Sequence, residues 1–516
     1  MTAADRSLAL PATYVPIAIA DGIRTSADAT PAKVALQEAA RRLTYSQLVE
    51  RIDRVANAAV HNLGLEIGDR VALMAPNCLE FMEIVCGIAS AGAVTATINS
   101  RASAREAALI CNDSGARVLF AHPSVREIVQ AAELETVERV IFLGDDYDEW
   151  LRLSRSLRPN LLIDEWGPFC IPYTSGTTGT PKGVVLPHRS RVMTFFAMAV
   201  AFGCYSAFDR ALGFAPMYHG AGFAFAAAPV FFGGFCEILA RFDPEIVLRR
   251  LDEGAMTNVF MVPSHFQGIF SLGQEVLCQH RPQHLRAIIS NAAPLTQRAK
   301  EQIIAYFGEG LLHECYGTTE AAIVSSIGPA DHLRKPQSVG LPFPCTAVSL
   351  LTDEGEEVAP GDVGEIHTRS PYLFNGYWNK PEETAGSMRD GWFSTGDLAR
   401  RDDEGYLYII DRKNDKIISG GVNIYPREVE EVIMRHPAVL EAAVFGVPDD
   451  YWGEGVRATV VLAPGRHATA EEIIAACRDL GRYKLPKVVE FADALPRNAA
   501  GKVLRRELRA RHVHGG

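Results

Sequence analysis

Several features that would assign a chain of 516 residues to a particular class are missing from this one. Its ten cysteines are scattered and form no Cys-x-x-Cys pair, which argues against a zinc site or a disulfide framework and favours reduced cysteines in a cytosolic protein. The formal net charge of −11 argues against nucleic-acid binding through overall charge. Residues 1–16 contain Asp5 and Arg6 but no compact apolar segment, so no signal peptide is expected.

Long apolar runs are also scarce. The two longest, residues 195–203 and 221–235, are too short to span a bilayer, and Gly and Pro interrupt the second. We therefore expect no integral membrane segment. Both runs are expected to lie in a buried core or to form the wall of an apolar pocket.

A stretch rich in glycine and threonine, residues 174–183, follows a short apolar run that could end a strand. Its glycines permit backbone angles that are closed to other residues, so successive N–H groups can turn inward and bind an anion. The stretch lacks the Gly-Lys-Ser/Thr ending of a Walker loop, and a flexible linker is the alternative interpretation. The candidate phosphate-binding residues are Thr174, Ser175, Gly176, Thr177, Thr178, Gly179 and Lys182.

Helical and strand-like patterns alternate through most of the chain. Thr44 and Gln47, for example, form a capping box before an amphipathic helical pattern. The alternation predicts a large N-terminal body of doubly wound α/β subdomains. From Val348 onward, short alternating runs with turn signals predict a small β-rich subdomain, and a compact α+β unit follows a polar segment. The predicted fold class is α/β, with a body at residues 1–411, a hinge at 412–416 and a C-terminal domain at 417–516.

Short polar motifs carry the candidate chemistry. Tyr316-Gly317-Thr318-Thr319-Glu320 directly follows a predicted strand, where open α/β sheets bind ligands. Tyr316 offers a flat face to a base, and Glu320 is either a Mg²⁺ ligand or an acid at the start of a helix. Asp397 follows a glycine turn and can accept both ribose hydroxyls, or can serve as a turn or N-cap residue. Lys502 lies on a predicted loop that could carry a positive charge into a cleft.

Together these motifs resemble those of the adenylate-forming superfamily, which includes acyl- and aryl-CoA synthetases, firefly-type luciferases and adenylation domains of peptide synthetases. The resemblance covers nearly the whole chain, and within the superfamily the pattern is most similar to fatty or aromatic acid–CoA ligases. The motifs that occur in the family order are residues 173–184, 216–220, 316–320, 394–397, 411–426 and 496–502.

The resemblance implies that the substrate carboxylate attacks the α-phosphorus of ATP and expels pyrophosphate, which gives an acyl-adenylate. It also implies that Lys502 contacts the carboxylate and the α-phosphate, that Glu320 and Thr178 hold Mg²⁺, and that residues 174–183 cradle the β- and γ-phosphates. The implied nucleoside-binding residues are Tyr316 against adenine, Gly317 and Thr318 beside it, and Asp397 and Arg412 at the ribose.

A second half-reaction is also implied, in which the acyl group passes to the thiol of coenzyme A. The C-terminal domain of the family is mobile and rotates about the hinge to present Gly420 and Gly421, whose lack of side chains would admit the pantetheine arm. Asn414 stands at the hinge position, where relatives commonly have Asp or Lys. Because asparagine tolerates unusual backbone angles, rotation is still expected. The implied cofactors and substrates are thus ATP, Mg²⁺ and coenzyme A.

The acid substrate is expected to be a monocarboxylic acid with a fatty or aromatic body. His219 matches a position that gates the carboxylate site in many relatives, although a hydrogen-bonded core histidine is the alternative. The stretch after it, residues 223–228, contains no acid that could pair with the ammonium group of an α-amino acid. No arginine is expected near His219 to bind a second carboxylate. Asn291 stands where relatives often have glycine, and is expected to narrow the pocket or to offer an amide. The candidate acyl-pocket residues are His219, Phe223, Asn291, Ala292 and Ala293.

Three alternatives to an acid–CoA ligase remain open at this stage. A carrier protein could replace coenzyme A as the acceptor, although no carrier domain is recognised in the chain. A luciferase-like oxygenase is possible within the superfamily. An inactive nucleotide-binding regulator could keep the fold, but Lys502, Glu320, Asp397 and Arg412 together argue for an enzyme. The candidate catalytic residues are Lys502, His219 and Glu320. Homodimers are common in the family, and no nucleic-acid partner is expected.

Overall fold

The computed structural model describes residues 13–175, 181–419, 422–449, 451–497 and 503–513. None of the helices within these ranges combines the length and the apolar character needed to cross a membrane. The α-helices, in chain order, are α1 (Asp21–Ala29), α2 (Tyr45–His61), α3 (Leu79–Ser90), α4 (Ala104–Ser114), α5 (Arg126–Ala131), α6 (Asp145–Arg152), α7 (His188–Phe202), α8 (Gly220–Phe231), α9 (Pro244–Glu253), α10 (Pro263–Phe270), α11 (Gly273–Gln279), α12 (Gln297–Phe307), α13 (Pro381–Gly386), α14 (Pro426–Ile433), α15 (Ala470–Ala476) and α16 (Arg505–Val513).

The strands of the body and of the C-terminal unit are short, and most have two to eight residues. In chain order they are β1 (Val34–Glu38), β2 (Arg41–Thr44), β3 (Arg70–Met74), β4 (Val94–Ile98), β5 (Val118–Ala121), β6 (Arg139–Phe142), β7 (Pro168–Ser175), β8 (Pro181–Pro187), β9 (Arg210–Gly213), β10 (Phe235–Ile238), β11 (Asn258–Met261), β12 (Ala287–Ser290), β13 (Leu312–Thr318), β14 (Ala322–Ile327), β15 (Leu341–Pro342), β16 (Ala347–Leu351), β17 (Gly364–Arg369), β18 (Gly376–Tyr377), β19 (Met388–Arg389), β20 (Trp392–Arg401), β21 (Leu407–Arg412), β22 (Ile417–Ser419), β23 (Val422–Ile424), β24 (Val439–Asp449), β25 (Gly453–Leu462) and β26 (Val488–Phe491).

Two large sheets form the N-terminal body. The first has the strand order β15-β14-β13-β12-β11-β9-β10-β1-β2, and the second has the order β18-β8-β7-β4-β3-β5-β6. The central pairs of both sheets are parallel, and antiparallel pairs occur at the edges, such as β13 with β14 and β7 with β8. The predicted doubly wound α/β body is therefore confirmed.

The core between the two sheets is built around α3. Every residue of this helix is buried, and it contacts β4 and β7 of the seven-stranded sheet as well as β1 of the nine-stranded sheet. At Gly87 a Cβ atom would lie 2.5 Å from side-chain atoms of Val55, so the glycine allows α2 and α3 to approach closely. The capping box predicted at the start of α2 is present, with reciprocal hydrogen bonds of 3.3 and 2.9 Å between Thr44 and Gln47.

The remaining elements form two smaller sheets. Strands β16, β17, β20, β19 and β21 make the antiparallel sheet expected from the alternating pattern after Val348. The C-terminal unit has the strand order β23-β22-β25-β24 with β26 against β25, and it contains a hydrophobic core of its own that includes Ile417, Val429 and Ile473. Between β21 and β22 lies a single 3₁₀ turn at Lys413–Asp415, which includes Asn414. The exact hinge boundaries, 412–416, stay a prediction.

Candidate active site

The motif at residues 316–320 lies where β13 turns into β14. The register of this hairpin shifts between Tyr316 and Gly317, so the strand pair is distorted at this point. A Cβ atom at Gly317 would lie 1.8 Å from the carbonyl oxygen of Ala322, a distance that no side chain can occupy. Gly317 therefore allows the tight turn that presents Tyr316 and Glu320 at the end of the parallel part of the sheet.

Asp397 joins Tyr316 and Arg412 into one polar cluster. Asp397 and Arg412 are partners across the antiparallel pair of β20 and β21, and the Arg412 Nε atom lies 3.1 Å from Asp397 Oδ1. The Tyr316 hydroxyl donates a hydrogen bond of 2.6 Å to Asp397 Oδ2. Each carboxylate oxygen has a second lone pair, so Asp397 can still accept hydrogen bonds from the hydroxyls of a ribose.

Charge and burial set the protonation states of Arg412 and Tyr316 in this cluster. The Asp397 carboxylate raises the pKa of the Arg412 guanidinium above its usual value, so Arg412 stays charged. Burial, followed by the neighbouring Asp397 charge, raises the pKa of the Tyr316 hydroxyl far above its usual value, so Tyr316 remains a hydrogen-bond donor. Asp397 is only 5% exposed, which strengthens both interactions. The structure thus brings together Tyr316, Asp397 and Arg412, three of the five residues predicted at the nucleoside.

Glu320 is held by a residue that the sequence reasoning did not single out. The Tyr377 hydroxyl donates a hydrogen bond of 2.9 Å to Glu320 Oε1, and the backbone N–H of Phe374 donates one of 2.8 Å to the Glu320 carbonyl oxygen. Tyr377 belongs to β18, which pairs with β8 of the glycine-rich hairpin. The segment 374–377 therefore couples Glu320 to the strand that follows the predicted phosphate loop.

The predicted phosphate loop, residues 174–183, includes the end of β7 and the start of β8. Thr174 pairs with Lys182 and Ser175 with Pro181 across this antiparallel pair. The candidate residues Gly176, Thr177, Thr178 and Gly179 lie outside the described part of the chain. The Lys182 ammonium forms an ion pair with Glu383 on α13 and lies 5.5 Å from the centre of the Tyr377 ring. Its side chain therefore lies beside Tyr377, the residue that holds Glu320.

His219 precedes the first turn of α8. Its backbone N–H donates to the carbonyl oxygen of Pro216 at 3.1 Å, and its ring centre lies 4.7 Å from that of Tyr218. A Cβ atom at Gly222 would lie 2.0 Å from the same Pro216 oxygen, so glycine is required for this turn. The side chain of Asn77, another residue without a sequence signal, fixes the turn by accepting from Met217 N at 2.8 Å and donating to Ala215 O at 3.1 Å.

The side of the His219 cavity that α8 forms is apolar. Phe223 and His219 line one small cavity of about 10 Å³, roughly the room needed for a single water molecule. All residues from Gly222 to Phe231 of α8 are buried, and the Phe225 ring stacks on Phe260 of β11 with a centroid distance of 4.1 Å. No acid lies on α8, so nothing on this helix can neutralise an ammonium group.

Arg191 on α7 lies close to His219, which the sequence reasoning did not expect. Its side chain lines the same cavity as His219, and its Nη2 atom is 3.4 Å from the position that a Cβ atom at Gly220 would take. The expectation that no arginine lies near His219 is therefore wrong in three dimensions. The two residues are far apart in the sequence, and the packing of α7 against α8 brings them together.

Asn291 and Ala292 follow β12 with an unusual backbone. Ala292 has a φ of 76°, a left-handed conformation that is uncommon for residues other than glycine. The Asn291 amide nitrogen lies 3.2 Å from the Cys315 sulfur, and its side-chain oxygen accepts from the Ala292 N–H. Both ends of the amide are thus engaged within the protein, which favours narrowing of the pocket over recognition of a polar substituent. The roles of Asn291, Ala292 and Ala293 in the acyl pocket stay predictions.

The hinge region contains a buried carboxyl group. Asp411, only 5% exposed, accepts hydrogen bonds from the backbone N–H groups of Arg412 at 2.8 Å and Arg427 at 2.9 Å. Burial raises its pKa to about 6, against the opposing effect of the Arg505 charge. Arg505 in turn contacts Asp415 at 3.0 Å and Glu430 at 2.7 Å. The predicted Lys502, Gly420 and Gly421 lie outside the described residues.

Comparisons with known proteins show the family to which the chain belongs. The chain matches the family described as AMP-binding enzyme over residues 23–378 and the AMP-binding enzyme C-terminal domain over residues 428–502. It is 37% identical to a feruloyl-CoA synthase of an Amycolatopsis species, covering 93% of this chain and 96% of that protein. It is 34% identical to the fatty acid–[acyl-carrier-protein] ligase ScoC of Streptomyces coeruleorubidus, covering 91% and 92%.

A solved structure shows the same fold over nearly the whole chain. The crystal structure of ATP-bound MatB from Rhodopseudomonas palustris superimposes with a TM-score of 0.88 at 30% identity, covering 96% of this chain and 99% of that one. The family match covers more than half of the chain. It includes the β7–β8 pair with the glycine-rich stretch 174–183, His219 and the 316–320 motif. The chain therefore belongs to the AMP-binding enzyme family, the adenylate-forming superfamily that its motifs resemble.

Proposed function

We propose that this protein, an AMP-forming acid–CoA ligase, acts on a monocarboxylic acid whose body is apolar, either fatty or aromatic. The observation that carries the proposal for the acid is the α8 wall behind His219, whose buried residues are apolar and include no acid. The ammonium group of an α-amino acid would be left without a counter-charge there, at a large free-energy cost. The names of the feruloyl-CoA synthase and of ScoC, one acting on an aromatic acid and one on a fatty acid, support both an aromatic and a fatty acid as substrate.

In the first half-reaction an oxygen of the acid carboxylate forms a bond to the α-phosphorus of ATP. The bond from that phosphorus to the bridging oxygen breaks, and pyrophosphate leaves. Asp397 and Arg412 hold the ribose in this proposal, while the fixed Tyr316 hydroxyl orients the ring against adenine. Lys502, Lys182 and the N–H groups of residues 174–183 stabilise the charge that builds on the phosphates. His219 lines the path of the carboxylate.

Glu320 and Thr178 are proposed to hold the magnesium ion. Among the described residues, no group of three or more His, Cys, Asp or Glu side chains is placed to hold a metal ion by itself. Mg²⁺ characteristically takes one or two carboxylates and completes its octahedron with phosphate oxygens and water, so a single carboxylate fixed by Tyr377 fits this ion. When bound, Mg²⁺ neutralises charge on the phosphates.

In the second half-reaction the thiol of coenzyme A attacks the carbonyl carbon of the adenylate, and AMP leaves. We propose that the C-terminal domain rotates near Asn414 and brings Gly420 and Gly421 to the pantetheine arm. The turn at Lys413–Asp415 and the hydrogen bond from Arg427 N to Asp411 lie where such a rotation must act. Rotation would break that bond, because Asp411 and Arg427 lie on opposite sides of the turn.

A carrier protein is the second candidate acceptor, because ScoC is named as a ligase for an acyl-carrier protein.

A cytoplasmic location is also proposed. Eight of the ten cysteines are buried and all ten are free, as suits a reducing compartment. A homodimer is proposed from the family alone, and gel filtration with light scattering tests it.

The deciding experiment is a screen for AMP release with fatty, benzoic, cinnamic and alicyclic acids, with ATP, Mg²⁺ and coenzyme A present. The proposal expects release that depends on both an apolar acid and coenzyme A, and none with α-amino acids. Release that requires a phosphopantetheinylated carrier protein instead would favour the second acceptor. Turnover of α-amino acids at equal efficiency would contradict the proposed acid.

A further inference from the structure

Arg191 is a buried cation whose counter-charge is missing from the described protein. Its side chain is only 5% exposed, its Nε atom has no hydrogen-bond partner, and no carboxylate of the described residues forms an ion pair with it. A guanidinium in such a place keeps its proton: burial lowers its pKa only to about 10. Because burying an unpaired charge is costly, such a side chain indicates an anionic ligand.

The surroundings of Arg191 supply no substitute for that ligand. The cavity wall around it is largely apolar and includes Phe81, Val85 and Met217. Cys170 also lines the cavity, but burial raises the pKa of its thiol to about 12, so it is neutral at physiological pH. The low polarity of this wall would strengthen any ion pair that Arg191 forms.

The guanidinium lies between two elements of the candidate active site. A Cβ atom added at Gly220 would lie 3.4 Å from Arg191 Nη2 and 3.8 Å from the Thr319 methyl group. Gly220 is the first residue of α8, and no side chain caps that end of the helix. Its N-terminal N–H groups therefore add positive potential at the same point. Thr319 belongs to the 316–320 motif, so an anion here would lie beside the predicted reaction centre.

We propose that Arg191 binds a carboxylate group of the acid substrate, an inference that rests on the proposed function. The planar guanidinium can donate two parallel N–H···O hydrogen bonds to one carboxylate, a geometry that a lysine ammonium does not reproduce. The carboxylate is the one that reacts with ATP; a second carboxylate at Arg191 is the alternative outcome of the test, and it would replace the proposed monocarboxylic acid with a diacid. In the first case every substrate depends on Arg191; in the second only diacids do.

The test measures binding of four probes to the full-length enzyme by calorimetry without ATP: cinnamate, decanoate, adipate and the neutral cinnamamide. The variants are Arg191→Met and Arg191→Lys, with Arg105→Met, an exposed arginine on α4, as the matched control. Arg191→Met is expected to weaken binding of carboxylates at least about tenfold and to leave cinnamamide unchanged. Arg191→Lys is expected to bind carboxylates better than Arg191→Met but less well than wild type. It keeps the positive charge but lacks the two parallel N–H donors of the guanidinium. Unchanged ATP affinity checks that each variant is folded.

The probes distinguish the carboxylate that reacts with ATP from a second carboxylate on a diacid. Weaker binding of all three carboxylates assigns the reacting group, and weaker binding of adipate alone assigns a second carboxylate. Equal binding of all three to wild type and both Arg191 variants, or binding of none to wild type, would overturn the proposal. If the Arg191 variants release AMP with an unchanged KM for the acid, the ligase assignment stands and only the role of Arg191 fails. If wild type releases no AMP with any acid, the proposed function itself fails.

Discussion

The hydroxyl of Tyr377 donates a hydrogen bond of 2.9 Å to Oε1 of Glu320, the proposed magnesium ligand. The same ring lies 5.5 Å from the ammonium of Lys182, a residue of the predicted phosphate loop. Burial, followed by the nearby Glu320 charge, raises the pKa of Tyr377 far above its usual value, so the hydroxyl remains a donor at any pH at which the enzyme works. Tyr377 thus positions the carboxylate without touching the reacting atoms.

Tyr377→Phe removes this hydrogen bond and keeps the ring. A single hydrogen bond of this kind contributes about 1 kcal/mol, so the Mg²⁺ concentration for half-maximal pyrophosphate exchange should rise about fivefold. Tyr408→Phe, which removes a hydroxyl that donates to Asp402 at 3.1 Å, is the matched control and should leave the Mg²⁺ dependence unchanged. An identical Mg²⁺ dependence in Tyr377→Phe and wild type would rule out this role of Tyr377.

Asp397→Asn removes the negative charge of the carboxylate that both Tyr316 and Arg412 contact. The substitution keeps the size of the side chain, but the Arg412 guanidinium loses its ionic partner and the proposed ribose site loses a charged acceptor. The KM for ATP should rise at least about tenfold, with a smaller change in the KM for the acid. Asp403→Asn, at an exposed position, is the control. Equal effects on both KM values would point to a general structural fault instead of a nucleoside contact.

Gly317→Ala should disrupt the turn after β13. The new methyl group would lie 1.8 Å from the Ala322 carbonyl oxygen, so the hairpin must shift. We expect the free energy of unfolding in urea to fall by about 2 kcal/mol or more, together with loss of ATP binding. Gly328→Ala, where nothing lies within 4 Å of the added methyl group, should have little effect. Normal stability and ATP affinity in Gly317→Ala would show that the turn is not tightly constrained.

Asp411 should make stability depend on pH. Its carboxyl pKa is raised from the usual 3.8 to about 6 in the folded protein, so the folded state binds its proton more tightly than the unfolded state does. The resulting stabilisation is complete below about pH 4 and is lost as the pH rises through about 6; two pKa units correspond to about 3 kcal/mol at most. Asp411→Asn lacks this titration. The melting temperature of Asp411→Asn relative to wild type should therefore rise between pH 4 and pH 6.5. A constant difference would contradict the raised pKa.

Much of the fold and part of the site could be predicted from the sequence, because both rest on local patterns. The alternation of apolar runs fixes the doubly wound body, and Thr44 with Gln47 marks the start of α2 through contacts three residues apart. Tyr316 and Glu320 share one motif, and Asp397 and Arg412 belong to motifs on adjacent strands. Their proposed roles rest on residue type and order, and the structure brings Tyr316, Asp397 and Arg412 together.

The residues that the sequence did not reveal act through tertiary packing. Tyr377, Glu383 and Arg191 belong to no motif, and each reaches the site from a segment distant in sequence from its partner. The expected absence of an arginine near His219 failed for this reason, because neighbours along the chain do not show which helix packs against α8. The sequence signal of Arg191 was an arginine directly before a largely apolar helical run, and its burial became visible only in the structure.

The central claim is that one active site performs two half-reactions with different residues, and Lys502→Ala tests it most directly. The variant is assayed for acid-dependent pyrophosphate exchange and, separately, for transfer of a synthetic acyl-adenylate to coenzyme A. Gly421→Leu is the reciprocal control and should retain exchange but lose transfer. The account predicts that Lys502→Ala loses exchange and keeps transfer. Normal exchange in Lys502→Ala, or equal loss of both reactions in both variants, would contradict it.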